Sequence, residues 1–86
     1  MIPLASNPAV IDPKTTLTAA QQQALLAIRQ YRFNGESRRF WRVGGELIAK
    51  PTIAALIKHE LVRNRGGQNP LTLTTAGELA SDKLKG

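Results

Sequence analysis

The sequence predicts one small α+β domain of about three helices with a two-stranded hairpin near its C-terminal end. Three observations predict it. At 86 residues the chain has room for a single domain, and a domain of that size buries only ~60% of its unfolded surface, so each element has to contribute to the core. A Thr18-x-x-Gln21 capping box opens an apolar helical period. Residues 51–77 then run in the order amphipathic segment, short strand, glycine-rich turn, returning strand and capped helix.

Residues 1–16 carry Pro3, Pro8 and Pro13 and show no apolar period. Each proline removes a backbone donor and biases its predecessor away from helix, so these residues read as an extended or disordered tail, with the domain spanning 17–86. The first helix starts at Thr18, with Leu17 as a staple. Ala24, Leu25 and Ile28 share one face, Tyr31 or Arg32 lies near the end, and Asn34-Gly35 is expected to stop the helix. Residues 37–48 read two ways. Arg38 to Val43 fits a strand turned by Gly44-Gly45 into Glu46-Leu47-Ile48, and it also fits a short helix followed by a glycine turn. Aromatic and β-branched content favours the strands.

The next helix opens at Pro51, a good early helical position because its missing N–H would be unpaired there anyway. Ile53, Leu56 and Ile57 share one face, with Ala54, Ala55 and Lys58 opposite and Thr52 and His59 at the margins. Leu61 and Val62 begin a strand that continues through Arg65, residues 66–70 make a turn, and Leu71 to Leu73 return. A second capping box, Thr75-x-x-Glu78, opens the last helix, whose Ala76, Ala80 and Leu79 or Leu84 can pack back. Leu25, Ile28, Ile53, Leu56, Ile57, Leu73 and Leu79 are core by period and carry no functional expectation.

Composition excludes most chemistry. The chain has no cysteine and one histidine, which leaves no thiolate metal site and argues against any metal site or Ser/Cys–His dyad. Gly66-Gly67 lacks the strand–GxxxxGK–helix context of a phosphate loop. The domain is therefore expected to be non-enzymatic and to need no cofactor. No apolar run approaches the ~18 residues of a membrane span, and residues 1–10 lack the features of a secretory signal. No membrane partner and a cytoplasmic location are expected. The charge is more informative. Between Arg29 and Arg65 lie nine cations against Glu36, Glu46 and Glu60, a difference equal to the whole net charge of +6. The flanks balance, so a basic middle on a neutral frame points to a polyanionic partner.

The string from Thr52 to Val62, followed by Leu71-Thr-Leu-Thr-Thr-Ala-Gly77, resembles the recognition helix and wing of MarR-like and PadR-like winged helix-turn-helix regulators. In those proteins a helix of the form T-x-x-x-L-x-x-x-G-L-[VI] leads into a hairpin ending in L-T-x-x-G. Glu60 stands where they usually carry glycine, and the long terminal helices of MarR-type dimers are missing, so no oligomeric state follows. The resemblance implies a small DNA-binding transcriptional regulator or accessory factor, with helix 51–60 in the major groove of double-stranded DNA. It implies that Thr52, Ala54, Ala55, Lys58 and His59 face the bases, alanines meeting thymine methyls and the polar side chains meeting base edges. Arg63 and Arg65 would bracket the wing, 63–70, while Arg38, Arg39, Arg42 and Lys50 meet phosphates. About five neutralised phosphates give a slope of roughly −4 to −5 in log K against log[salt]. The alternative is a winged helix that docks on another regulatory protein as an anti-activator or antirepressor, through Ala54, Ala55 and Trp41. A lone tryptophan in a small domain is more often core.

Overall fold

Five helices and two antiparallel sheets make up residues 6–31 and 33–85, the part of the chain that the computed structural model describes. Expectations for residues 1–5 and for Arg32 lie outside it. In chain order the elements are α1 (Pro8–Ile11), α2 (Pro13–Thr16), α3 (Ala19–Gln30), β1 (Asn34–Glu36), β2 (Phe40–Val43) and β3 (Glu46–Ala49). They continue with α4 (Lys50–Lys58), β4 (Val62–Asn64), β5 (Leu71–Leu73) and α5 (Thr75–Lys85). The class is α+β as expected, with two more helices and one more sheet. No helix among the described residues is long and apolar enough to cross a membrane.

The stretch read as a tail forms two short helices, Pro8–Ile11 and Pro13–Thr16, parted at Asp12. The prolines explain it: Pro8 and Pro13 each occupy the first turn of a helix, where no amide bond is lost. Asn7 caps α1, its Oδ1 accepting from the Ala9 amide at 3.0 Å, while its Nδ2 donates to the His59 carbonyl at 2.8 Å. Ala9 and Val10 are buried, and α1 and α2 pack on α5. The extended-tail expectation is therefore corrected for residues 8–16.

The α3 capping box forms in both directions, Gln21 N–H to Thr18 Oγ1 at 3.2 Å and Thr18 N–H to Gln21 Oε1 at 3.1 Å. The helix ends at Gln30 because Tyr31 turns extended, at φ −107° and ψ 131°. Asn34-Gly35 does not stop it; these residues begin β1. Residues 37–48 resolve to strands. Strands β1, β2 and β3 form a meander in which Asn34 pairs with Val43, Glu36 with Trp41, Trp41 with Ile48 and Phe40 with Ala49. The turn at Gly44 needs φ 61°, and the Tyr31 ring lies 2.5 Å from where a Cβ would stand, so only glycine fits.

One face of the meander buries Trp41 and Val43 against the core, which also holds Leu25, Ile53, Leu56 and Leu61. Burying each of these large aliphatics contributes about 1.5–3 kcal/mol. Helix α4 packs on α3, β2, β3 and β4. The expected second capping box is replaced by a single cap one residue earlier: Thr74, not Thr75, caps α5, its Oγ1 accepting from the Gly77 amide at 3.0 Å, and Gly77 has no side chain to return a bond. The same hydroxyl donates to the Glu60 carbonyl at 2.7 Å, which is why the cap sits there.

Candidate nucleic-acid interface

Helix α4 is nine residues long, so its own propensity cannot hold it and packing must. Ile53 and Leu56 supply that packing. Its C-terminal end is closed by the Leu61 amide bonding the Leu56 carbonyl at 3.0 Å and the Glu60 amide bonding Ile57 at 2.9 Å. That pair of bonds is a Schellman motif, and Glu60 takes the left-handed conformation at φ 62° without being glycine. Pro51, Ala54 and Lys58 face solvent on α4, with Ile57 at the margin at 38% exposure rather than in the core. Leu79, the other exposed member of the expected core set, is 41% exposed.

Of the five residues expected to face bases, Ala54 and Lys58 are exposed, while Thr52, Ala55 and His59 are half-buried. Thr52 lines a groove with Ala20, Gln23 and Ala24 of α3 and with strand β3, to one side of the exposed face. The backbone of His59 is engaged by Asn7.

The β4–β5 hairpin carries Arg63 and Arg65 on its exposed side. Its loop closes through the Arg65 amide to the Pro70 carbonyl at 2.8 Å, and the Gly66 amide bonds Asn64 Oδ1 at 3.0 Å. Gly66 and Gly67 both adopt φ 73° and Asn69 adopts φ 49°. The loop does not project freely. Asn69 Oδ1 accepts the Asn34 amide at 3.0 Å, and the Asn34 side chain pairs with both backbone groups of Leu71, at 3.0 and 2.9 Å. Asn34 thus stitches β1 to the hairpin with the bonds a strand neighbour would make. An Asn-Gly pair signals a turn in sequence, and no local pattern reveals this role.

Arg38 and Arg39 sit exposed in the turn between β1 and β2, where the Ser37 amide and hydroxyl both bond the Phe40 carbonyl at 2.8 Å. Arg42 points outward from β2. Two other cations are neutralised. Lys50 Nζ lies 2.9 Å from Glu36 Oε2, and Arg29 pairs with Asp82 and donates to Ser81 Oγ at 2.6 Å. Lys50 is therefore not an open phosphate ligand. Trp41 is 5% exposed, which places it in the core and removes it from any docking surface. Six of the expected contact residues remain exposed cations outside any ion pair among the described residues: Arg38, Arg39, Arg42, Lys58, Arg63 and Arg65. Comparison with protein-family models, with curated proteins and with solved structures gave no match.

Proposed function

We propose that the domain binds duplex DNA as a small winged-helix regulator or accessory factor, with the exposed face of α4 towards the major groove and the β4–β5 hairpin as the wing. The observation that carries this reading is the pairing of cations. The acids Glu36 and Asp82 take Lys50 and Arg29, and the six exposed cations named above stand unpaired among the described residues. Uncompensated positive charge destabilises a free domain and stabilises one lying on a polyanion. Ala54 permits close approach of α4 to base edges, and Lys58 beside it supplies donors to a base or phosphate. Arg63 and Arg65 flank the loop in which Gly66 and Gly67 adopt positive φ. The protein-docking reading keeps Ala54 and Ala55 but loses its aromatic anchor, because Trp41 is buried.

The test is an electrophoretic titration of random-sequence duplex at about 50 and 200 mM salt. Contact by five or six phosphates gives a slope of roughly −5 in log K against log[salt]. Lys58→Glu and Arg63→Glu each weaken retardation. No duplex binding at the lower salt concentration sinks the proposal.

A further inference from the structure

The core uses only one of the chain's larger aromatic residues. Trp41 is buried, whereas Phe33 is 73% and Phe40 42% exposed. In so small a domain, leaving both phenylalanines in water forgoes burial that the core needs. Their placement is not scattered. Residues directly opposite one another in an antiparallel sheet share a face, and the register puts Gly35, Arg42 and Leu47 in one row and Phe40 with Ala49 in another. Phe33 extends the ladder, its carbonyl accepting the Gly44 amide at 2.7 Å, and by alternation it lies on the same side as Gly35. The solvent face of the meander is therefore Phe33, Gly35, Phe40, Arg42, Leu47 and Ala49. Phe33 and Phe40 stand at opposite ends, four residues apart along the strand direction or roughly 13 Å. Arg42 lies between them, and Gly35 leaves open space over it. A shallow cavity of about 400 Å³ opens at this place, lined by Phe33, Gly35, Arg42 and Gly44 together with Asn34, Glu36 and Asn69.

We infer that this face binds single-stranded DNA, stacking unpaired bases on Phe33 and Phe40 while Arg42, Arg38 and Arg39 follow the phosphates. Exposed rings interleaved with arginine are what a single strand requires, because every base offers a π-face and every nucleotide a charge. Charge complementarity favours an anionic partner, since the six face positions carry Arg42 and no acid, and Glu36, which also lines the cavity, is held by Lys50. The strand is assigned as DNA because the six face positions present no group that would require a 2′-hydroxyl. That assignment rests in part on the duplex-DNA reading above. The two surfaces adjoin: Ala49, opposite Phe40, is also the N-cap of α4.

Fluorescence anisotropy with the full chain and a labelled twelve-residue oligothymidylate, beside a blunt duplex of equal length, tests the assignment. Phe33→Ala and Phe40→Ala are each expected to weaken oligothymidylate binding by roughly 5- to 100-fold, with duplex affinity held within twofold. Phe40→Leu keeps the apolar bulk and loses the stacking, so it should resemble Phe40→Ala. Both rings are exposed, so the fold survives, checked by the Trp41 fluorescence maximum. Absence of oligothymidylate binding at about 50 mM salt, or binding indifferent to both rings, overturns the inference. So does a ribonucleotide strand bound more than tenfold tighter, or a dimer that Phe33→Ala dissolves while strand binding persists. If the duplex is not bound and the single strand is, with ring dependence, the duplex proposal fails and this one stands.

Discussion

Replacing Gly77 by alanine should destabilise the domain severely, against the ordinary rule for helices. Alanine in place of an internal helical glycine gains about 1 kcal/mol of propensity. At Gly77, however, the new Cβ would lie 2.0 Å from the Leu61 carbonyl oxygen, 3.0 Å from its carbon and 3.3 Å from Leu73 Cδ2. That first contact is on the order of 1.5 Å inside the optimum for a non-bonded pair. The obstacle is backbone just beyond the Schellman motif, so it cannot swing aside as a side-chain tip would. Helix α5 would have to withdraw, and overpacking of this kind costs about 1–3 kcal/mol. Withdrawal also strains two bonds at the same point, the Thr74 amide to the Leu61 carbonyl at 3.0 Å and the Thr74 hydroxyl to the Glu60 carbonyl at 2.7 Å. Each is worth about 1 kcal/mol. With the propensity gain subtracted, the expected loss is about 2–4 kcal/mol. A chain of this length has roughly 4–13 kcal/mol in all, so the melting temperature should fall by roughly 10–25 °C. Urea unfolding followed by Trp41 fluorescence, with a thermal melt by circular dichroism, measures both. Gly45→Ala is the control, because nothing lies within 4 Å of its Cβ position. A Gly77→Ala protein as stable as the wild type, or more so, would refute the close approach of α5 to Leu61.

Other substitutions probe separate features. Asn34→Ala removes both bonds to Leu71 and strands a buried amide and carbonyl, at a cost of about 2–4 kcal/mol; accelerated hydrogen exchange at the Leu71 amide is the local signature. The double change Lys50→Met/Glu36→Gln should leave duplex affinity within twofold, since it deletes a neutral pair. Arg63→Met should lower the salt slope by about one, both being read by retardation at two salt concentrations.

What was legible in the sequence is what is local. The Thr18–Gln21 box needs only four residues, and α4, β4 and β5 follow from apolar period and turn residues. The misreadings are places where a distant group decides. Pro8 and Pro13 read as breakers, yet each opens a helical turn that is stable because Ala9 and Val10 bury in the core and Asn7 reaches His59. Thr75 was expected to cap the last helix, and the Glu60 carbonyl selects Thr74 instead. Asn34-Gly35 has the composition of a helix stop, but the side chain of Asn34 is committed to Leu71, thirty-seven positions away. Lys50 counts as a cation until the sheet brings Glu36 to it. The L-T-x-x-G pattern is the instructive case. In this chain it spans Leu73 to Gly77, and the packing supplies its physical reason: Thr74 caps α5 and ties it to Glu60, and Gly77 admits the Leu61 carbonyl.

The meander between α3 and α4 also changes how the surface can work. Two consecutive helices would give α4 a neighbour with one apolar stripe, whereas a sheet has two faces set by strict alternation. The inner face, through Trp41 and Val43, contributes to the core in which Ile53 and Leu56 of α4 are buried. The outer face is thereby released from packing duty, which is why Phe40 and Arg42 stand in water on either side of a buried tryptophan. Because the side chains that hold α4 and those that display the rings are on opposite faces, a change on the outer face need not move α4. Their backbones join at Ala49, the α4 N-cap and the strand partner of Phe40, and α4 packs on β2 and β3 from the inner side. That geometry sets the proposed strand-binding face beside the proposed duplex-binding helix, with Arg38, Arg39 and Arg42 shared between the two, so charge reversal at any of the three should weaken both kinds of binding while loss of a ring weakens one.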